Sequence, residues 1–200
     1  MSDTAPSVDE PRTPGPRARL MASAIDLMRE RGVAGTGIAE LLERSNTARR
    51  SIYQHFPGGK SELMATAVTA AGAWVSNHLE TVLAASPDDP AGAIRNAIHA
   101  IGVNLARSDY QLGCPIAAAA AAAPEEQAIL DAAARVFESW AARISTALVN
   151  NGWAEDDAPT LAGFSITVIE GAILRSRATR STQPLDEAAE VLAQLYGRHG

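Results

Sequence analysis

Forty-one of the 200 residues are alanine, and no long β-branched run sets them off. Alanine loses no side-chain freedom in a helix, whereas strands favour the Val, Ile and Thr runs that are scarce here. The chain is therefore expected to be all-α, and a sandwich, a barrel or a doubly wound sheet is excluded. Aromatics are only 4% against 46% hydrophobic residues overall, so the core must be mostly aliphatic. A chain of this length can bury such a core.

Proline and glycine clusters divide the sequence into about nine helical segments. Met1 to Pro16 is acidic and proline-rich without an apolar stretch, so residues 1–16 are expected to be a disordered tail rather than a secretory signal. Residues 17–31 place Leu20, Ala24, Leu27 and Met21, Ile25, Met28 at helical spacing. Gly32 sits where a left-handed cap would end that helix. Thr36 is a candidate N-cap for a second helix, 37–44, with Ile38, Leu41 and Leu42 as its apolar residues. After the short break Ser45-Asn46-Thr47, a third helix runs from about Ala48 to His55. Pro57 disfavours helix at Phe56 and two glycines follow. Two short helices across so tight a turn suggest a helix-turn-helix within residues 17–60.

Residues 61–200 continue as helices at 61–85, 91–107, 116–123, 124–149, 158–177 and 185–196. In the first, Leu63, Ala67, Ala70, Trp74, Leu79 and Val82 form a broad stripe.

Charge is unevenly distributed. The whole chain carries −6, yet Pro11 to Ser61 holds nine Arg or Lys against four acids. A basic head on an acidic body suits a small module that meets phosphates, although charge alone leaves a chance fluctuation open. On the third helix, Arg49, Arg50, Ser51, Gln54 and His55 offer a dense set of donors, while Ile52 and Phe56, four apart, can face inward. Arg can bridge a guanine edge and Gln can pair with adenine. Ser51, Tyr53 and His55 can reach phosphate oxygens. Lys60 opens the next helix, where the dipole also favours phosphate. A solvated arginine-rich helix in a bundle fits the same pattern.

Other chemistry is thinly supported. A single cysteine, Cys114, excludes an intrachain disulfide and a four-Cys zinc site. His78 and His99 share no ligand spacing, so no metal or cofactor is expected. No Gly-rich phosphate loop, nucleophile elbow or paired-carboxylate motif points to an enzyme. The longest small-apolar run, Ile116 to Ala123, is far short of a bilayer span, so a cytoplasmic protein is expected. Cys114 reads either as an oxidant sensor or as a buried small hydrophobe. Glu170 interrupts the apolar stretch Phe164 to Leu174, where an acid is costly unless partnered. It reads either as the cap of a pocket or as a bundle-edge residue.

The stretch Thr36-Gly37-Ile38-Ala39-Glu40-Leu41-Leu42-Glu43-Arg44-Ser45, followed by Arg49-Arg50-Ser51-Ile52-Tyr53-Gln54-His55-Phe56-Pro57-Gly58-Gly59-Lys60-Ser61-Glu62-Leu63, resembles the N-terminal domain of the TetR family. Phe-Pro-Gly-Gly-Lys, with Gly113-Cys114-Pro115-Ile116, is similar to its LmrA/YxaF-like branch. The resemblance implies a homodimeric, ligand-responsive transcriptional regulator, usually a repressor, that binds a palindromic DNA operator. By position, it makes Arg49, Arg50, Ser51 and Gln54 base or phosphate contacts. Tyr53, His55 and Lys60 match phosphate contacts, and Thr36 matches the hydroxyl residue opening the second helix. The usual glycine of the turn is here Asn46. The resemblance also implies a cavity for an apolar small molecule in the C-terminal helices, but it carries no residues over there. Trp74, His78, Tyr110, Cys114, Phe137, Trp140 and Phe164 are candidates to line it, and each reads equally as ordinary core. It makes the last two helices the dimer surface, where Gly163, Ser165, Gly171 and Ala172 would allow close packing. A helical enzyme or ligand carrier with an incidental basic head, and a non-specific DNA-architectural protein, remain as alternatives.

Overall fold

The computed structural model describes residues 14–85 and 88–197, without the side chains of 83–85. Residues 1–13 of the expected tail lie outside the described residues. Nine helices and no strand occur among the described residues: α1 (Pro16–Arg31), α2 (Ile38–Ser45), α3 (Arg49–His55), α4 (Gly59–Ala85), α5 (Pro90–Arg107), α6 (Pro115–Ala120), α7 (Gln127–Asn150), α8 (Ala158–Thr179) and α9 (Gln183–Tyr196). Five of them carry proline at the first or second helical position. Proline's fixed φ suits the first turn, and its missing N–H is one that no intrahelical carbonyl could have accepted.

Two sequence boundaries are corrected. The alanine run ends as a helix at Ala120, not at residue 123, and α7 begins at Gln127 rather than at Pro124. Pro124 disfavours helix at the residue before it, and alanine favours helix without saying where it stops. Thr36 does not cap α2. Gly37 occupies that position, and the fully buried Thr36 donates its hydroxyl to the Gly32 carbonyl at 2.8 Å.

Two apolar cores hold the helices together. The first joins α1 to α4 with α6 and α7 through Leu20, Leu27, Leu41, Ile52, Phe56, Leu63, Met64, Val68, Ile116, Ile129 and Trp140. The second joins α5, α7, α8 and α9 through Ile98, Leu105, Leu148, Ala162, Leu185, Leu192 and Tyr196. Cys114 and Ile166 pack against both. The first core crosses from the N-terminal helices into the body, because the opening turns of α4 bury Leu63, Met64, Ala67 and Val68 beneath α1 and α3. The α4 and α7 backbones approach closely at Gly72, where an added Cβ would lie 2.4 Å from a Val136 methyl. Trp140 fills the neighbouring space and donates its indole N–H to the Gly72 carbonyl at 3.3 Å.

Candidate nucleic-acid interface

The turn before α3 is built by Asn46. It adopts the left-handed region at φ +47°, ψ +54°, which asparagine tolerates better than most side chains. Its N–H reaches the Glu43 carbonyl, and the Thr47 N–H reaches that of Leu42, each at 3.1 Å. These are the paired bonds that satisfy the last carbonyls of a helix in a Schellman turn. Arg19 completes the cap from α1, with bonds to the carbonyls of Ser45 (2.8 Å) and Asn46 (3.2 Å).

The α3 helix is anchored by two side chains, Ile52 and Phe56, each 1% exposed. Arg17 lies over the Phe56 ring at 5.3 Å. With that face fixed inward, Arg49, Arg50, Tyr53, Gln54 and His55 are exposed and Ser51 is half-buried. The Tyr53 ring rests against Gly59, whose φ of +72° turns the chain into α4.

The head's cations divide into two groups. Arg44 makes a two-pronged pair with Glu30 at 2.5 and 2.9 Å, which holds the Glu30 carboxyl below its ordinary range. Arg31 pairs with Glu40 at 2.7 Å. Arg29 bonds the Gly113 carbonyl at 3.0 Å, and Lys60 donates to the Val33 carbonyl at 3.3 Å. Arg49 and Arg50 make no ion pair or hydrogen bond with another described residue. The charge excess along the sequence thus overstates what faces solvent, because several arginines knit the helices together. Lys60 keeps two of its three N–H donors for another acceptor. At the start of α4 the Gly58 N–H is already taken by Glu62 Oε2 at 2.6 Å. Thr36, buried as described above, presents no side chain to a phosphate.

The seven candidate pocket residues do not converge on one cavity. Cys114, Phe137 and Trp140 gather at the first core, with Phe137 and Trp140 edge to face at 5.7 Å. Tyr110 packs against the second core in a left-handed conformation at φ +61°. Trp74 is 68% exposed and stacks on exposed His78, and Phe164 is 49% exposed. The expected stripe is corrected at Trp74 alone: α4 buries Leu63 and Ala67 as expected, with Met64, Val68 and Ala71 beside them, and Trp74 faces outward. An apolar crevice of about 20 Å³ between α4, α5, α7 and α9 is lined by Leu79, Val82, Ile94, Ile144 and Tyr196, and by none of the seven candidates. Among the described residues, no group of three His, Cys, Asp or Glu side chains could hold a metal ion.

The sequence left Cys114 and Glu170 open, and the fold brings them together. The Cys114 thiol lies beside the Glu170 carboxyl, whose Oε2 is buried without a hydrogen-bond partner. Burial, and then the neighbouring carboxyl, push the Cys114 thiol far above its ordinary value, so the reactive thiolate is disfavoured. Of the two readings of Cys114, the buried small hydrophobe is therefore favoured over the oxidant sensor. Burial likewise raises the Glu170 carboxyl, which favours its neutral form.

A family model for bacterial regulatory proteins of the TetR family matches residues 20–67. A second, for the C-terminal domain of LmrA/YxaF-like transcriptional regulators, matches residues 90–191. The chain belongs to the TetR family. Within it, the C-terminal match places the protein in the LmrA/YxaF-like branch, a group of transcriptional regulators rather than enzymes. An uncharacterized helix-turn-helix transcriptional regulator of Mycobacterium tuberculosis, Rv0196, is 35% identical over 190 residues, covering 90% of this chain and 94% of that one. The fold of a TetR regulator from Legionella pneumophila superposes with a TM-score of 0.80 at 20% identity, covering 94% of this chain and 99% of that one. CifR, a TetR-family regulator solved as a cysteine mutant with a 26-base-pair operator, superposes with a TM-score of 0.74 at 21% identity, covering 92% and 98%. No helix among the described residues is long and apolar enough to cross a membrane.

Proposed function

We propose that the protein is a homodimeric repressor that holds a palindromic operator and releases it when a small molecule enters the body. The observation that carries this reading is α3 itself. Its inner face is fixed by Ile52 and Phe56, and its outer face presents Arg49, Arg50 and Gln54 with no ion pair to another described residue. Arg49, Arg50 and Gln54 contact base edges or phosphates. Ser51, Tyr53, His55 and the remaining Lys60 donors contact phosphates. Two copies place α3 in successive major grooves, roughly 34–36 Å apart. The protein acts on DNA in the cytoplasm.

The dimer forms through α8 and α9. Phe164, Leu174 and Val191 are 49%, 60% and 53% exposed in the protomer, which is costly for a surface that stays in water. Exposed Gly171 and half-buried Gly163, with nothing within 4 Å of an added Cβ, leave room for a partner helix.

The effector is a mainly apolar molecule that enters where the two cores meet, beside Cys114 and Ile166. Parting two cores there disturbs less packing than opening either one. The buried Glu170 Oε2 can then make its missing hydrogen bond to the ligand. Such a ligand releases DNA only through its difference in affinity between the two conformers.

A gel shift with DNA from upstream of the protein's own gene tests the reading. The expected result is a complex chased by unlabelled upstream DNA and not by an unrelated duplex. No complex at low salt would leave the helical enzyme or carrier. A complex indifferent to competitor would leave the architectural protein.

A further inference from the structure

The C-terminal end of α1 is completed by groups from the body. The last carbonyls of a helix have no partner within it. At α1, the Arg29 carbonyl accepts the Gly113 N–H at 2.9 Å, and the Glu30 carbonyl accepts Arg177 Nη2 at 3.3 Å. Arg177 stands on α8, 147 residues away in sequence. The same guanidinium bonds the carbonyls of Tyr110 (3.4 Å) and Gln111 (2.9 Å) in the loop between α5 and α6. Arg29 returns a bond to that loop through the Gly113 carbonyl.

The loop is held from its other side as well. Asp109 and Tyr110 both lie in the left-handed region, at φ +53° and +61°. Side chains enter this region at a cost, so something must hold them there. The turn that closes α5 does so, with the Asp109 N–H on the Ala106 carbonyl and the Tyr110 N–H on that of Leu105, each at 2.9 Å. Arg180 adds to it, pairing with Asp109 at 2.5 Å and lying over the Tyr110 ring at 5.9 Å. Gly113 lies close under the guanidinium: an added Cβ would lie 2.8 Å from Arg177 Nη1, so a side chain there displaces it.

We propose that Arg177 is a positioning residue for operator binding, setting from α8 the angle at which the DNA-binding head leaves the body. The inference rests on the dimeric operator-binding reading above. With the proposed dimer contact on α8 and α1 part of the head, this side chain adds a direct tie between the head and the two-fold axis to the core packing of α1 against α4 and α6. The two α3 helices therefore keep one separation, and half-sites at another spacing are penalised. Lysine does not substitute, because a single ammonium lacks the planar fork that reaches separate carbonyls. The loop continues directly into Cys114, so a ligand that moves Cys114 away from Glu170 pulls on the same bonds.

The test uses the full-length protein with Arg177→Gln and, separately, Gly113→Ala, which crowds the guanidinium without removing it. Affinity is measured on the operator, on operators with the half-sites moved by one or two base pairs, and on an unrelated duplex. Both variants are expected to lose roughly tenfold on the natural spacing, within the 5–150-fold range of coupling between sites. The penalty for altered spacing shrinks, and affinity for the unrelated duplex is unchanged. Spin labels on the two heads, at Asp26→Cys with Cys114→Ser, give a readout without DNA: the distance distribution broadens in both variants. A variant that melts earlier yet keeps its spacing penalty and its narrow distribution overturns the proposal, leaving Arg177 a stabilising contact only. A wild-type protein that ignores operator DNA refutes the operator reading, while the spin-label comparison still decides whether Arg177 sets the head's position.

Discussion

Replacing Arg49 and Arg50 together by alanine separates the cations that face DNA from those that build the head. Neither side chain has an ion pair to lose among the described residues, so the fold stays within about 0.5 kcal/mol of wild type, as for other exposed positions. DNA binding responds differently. Each phosphate neutralised contributes a slope of about −0.9 to log K against log salt. A dimer presents four such arginines, so the slope falls by about 3.6 when all four sit on phosphates. It falls by about 1.8 when one of each pair reads a base edge instead. Arg44→Ala is the matched control: it removes the pair with Glu30 at 2.5 and 2.9 Å, which costs about 1 kcal/mol or less because the pair is partly solvated. It should leave the salt slope intact. The assay is fluorescence anisotropy with a labelled operator between 50 and 200 mM salt, alongside thermal melts. A double variant that keeps the full slope, or an Arg44→Ala protein that loses as much of it, would refute the division.

Glu170→Gln should stabilise the protein at pH 7 and not at pH 4. Between the ordinary carboxyl value and the raised one, the folded chain holds a proton that the unfolded chain gives up, so wild-type stability falls as pH rises through that window. Urea melts at both pH values measure it, and an equal effect at both would contradict the neutral carboxyl. Phe56→Ala should cost about 3–5 kcal/mol, because a buried ring is replaced by a void under α3. A loss below about 1 kcal/mol in denaturant melts would mean that α3 is not anchored there. Leu174→Glu should turn dimers into folded monomers by analytical ultracentrifugation, and an intact dimer would place the interface elsewhere than on α8 and α9.

What the sequence disclosed follows from how local each signal is. Gly32, Asn46 and the Pro57-Gly58-Gly59 run act on their own backbone, so the ends of α1, α2 and α3 could be read directly. The face of α3 was legible for the same reason, since Ile52 and Phe56 lie one turn apart among polar residues. The α4 helix was legible only in part: Leu63 and Ala67 are buried as expected, but alanines lie on nearly every side, so nothing in the spacing shows that the buried face also takes in Met64 and Val68 and leaves Trp74 outside. Arg19, Arg29 and Arg177 bond main-chain carbonyls 26 to 147 residues away, and a carbonyl has no sequence signature. The basic excess of Pro11 to Ser61 therefore includes arginines, Arg19 and Arg29, that bond the protein's own carbonyls. Glu170 was conspicuous as an acid in an apolar helix, but its meeting with Cys114 depends on how α6 lies against α8.

Cross-linking from the exposed face of α3 shows whether this helix enters the major groove of both half-sites. The variant is Gln54→Cys with Cys114→Ser, so that the introduced thiol is the only one in the chain and can carry a short photoactivated reagent. Bound to operator and illuminated, it should attach to bases at two positions about one helical turn apart. Attachment that is absent, or scattered along the duplex without that spacing, would contradict the account.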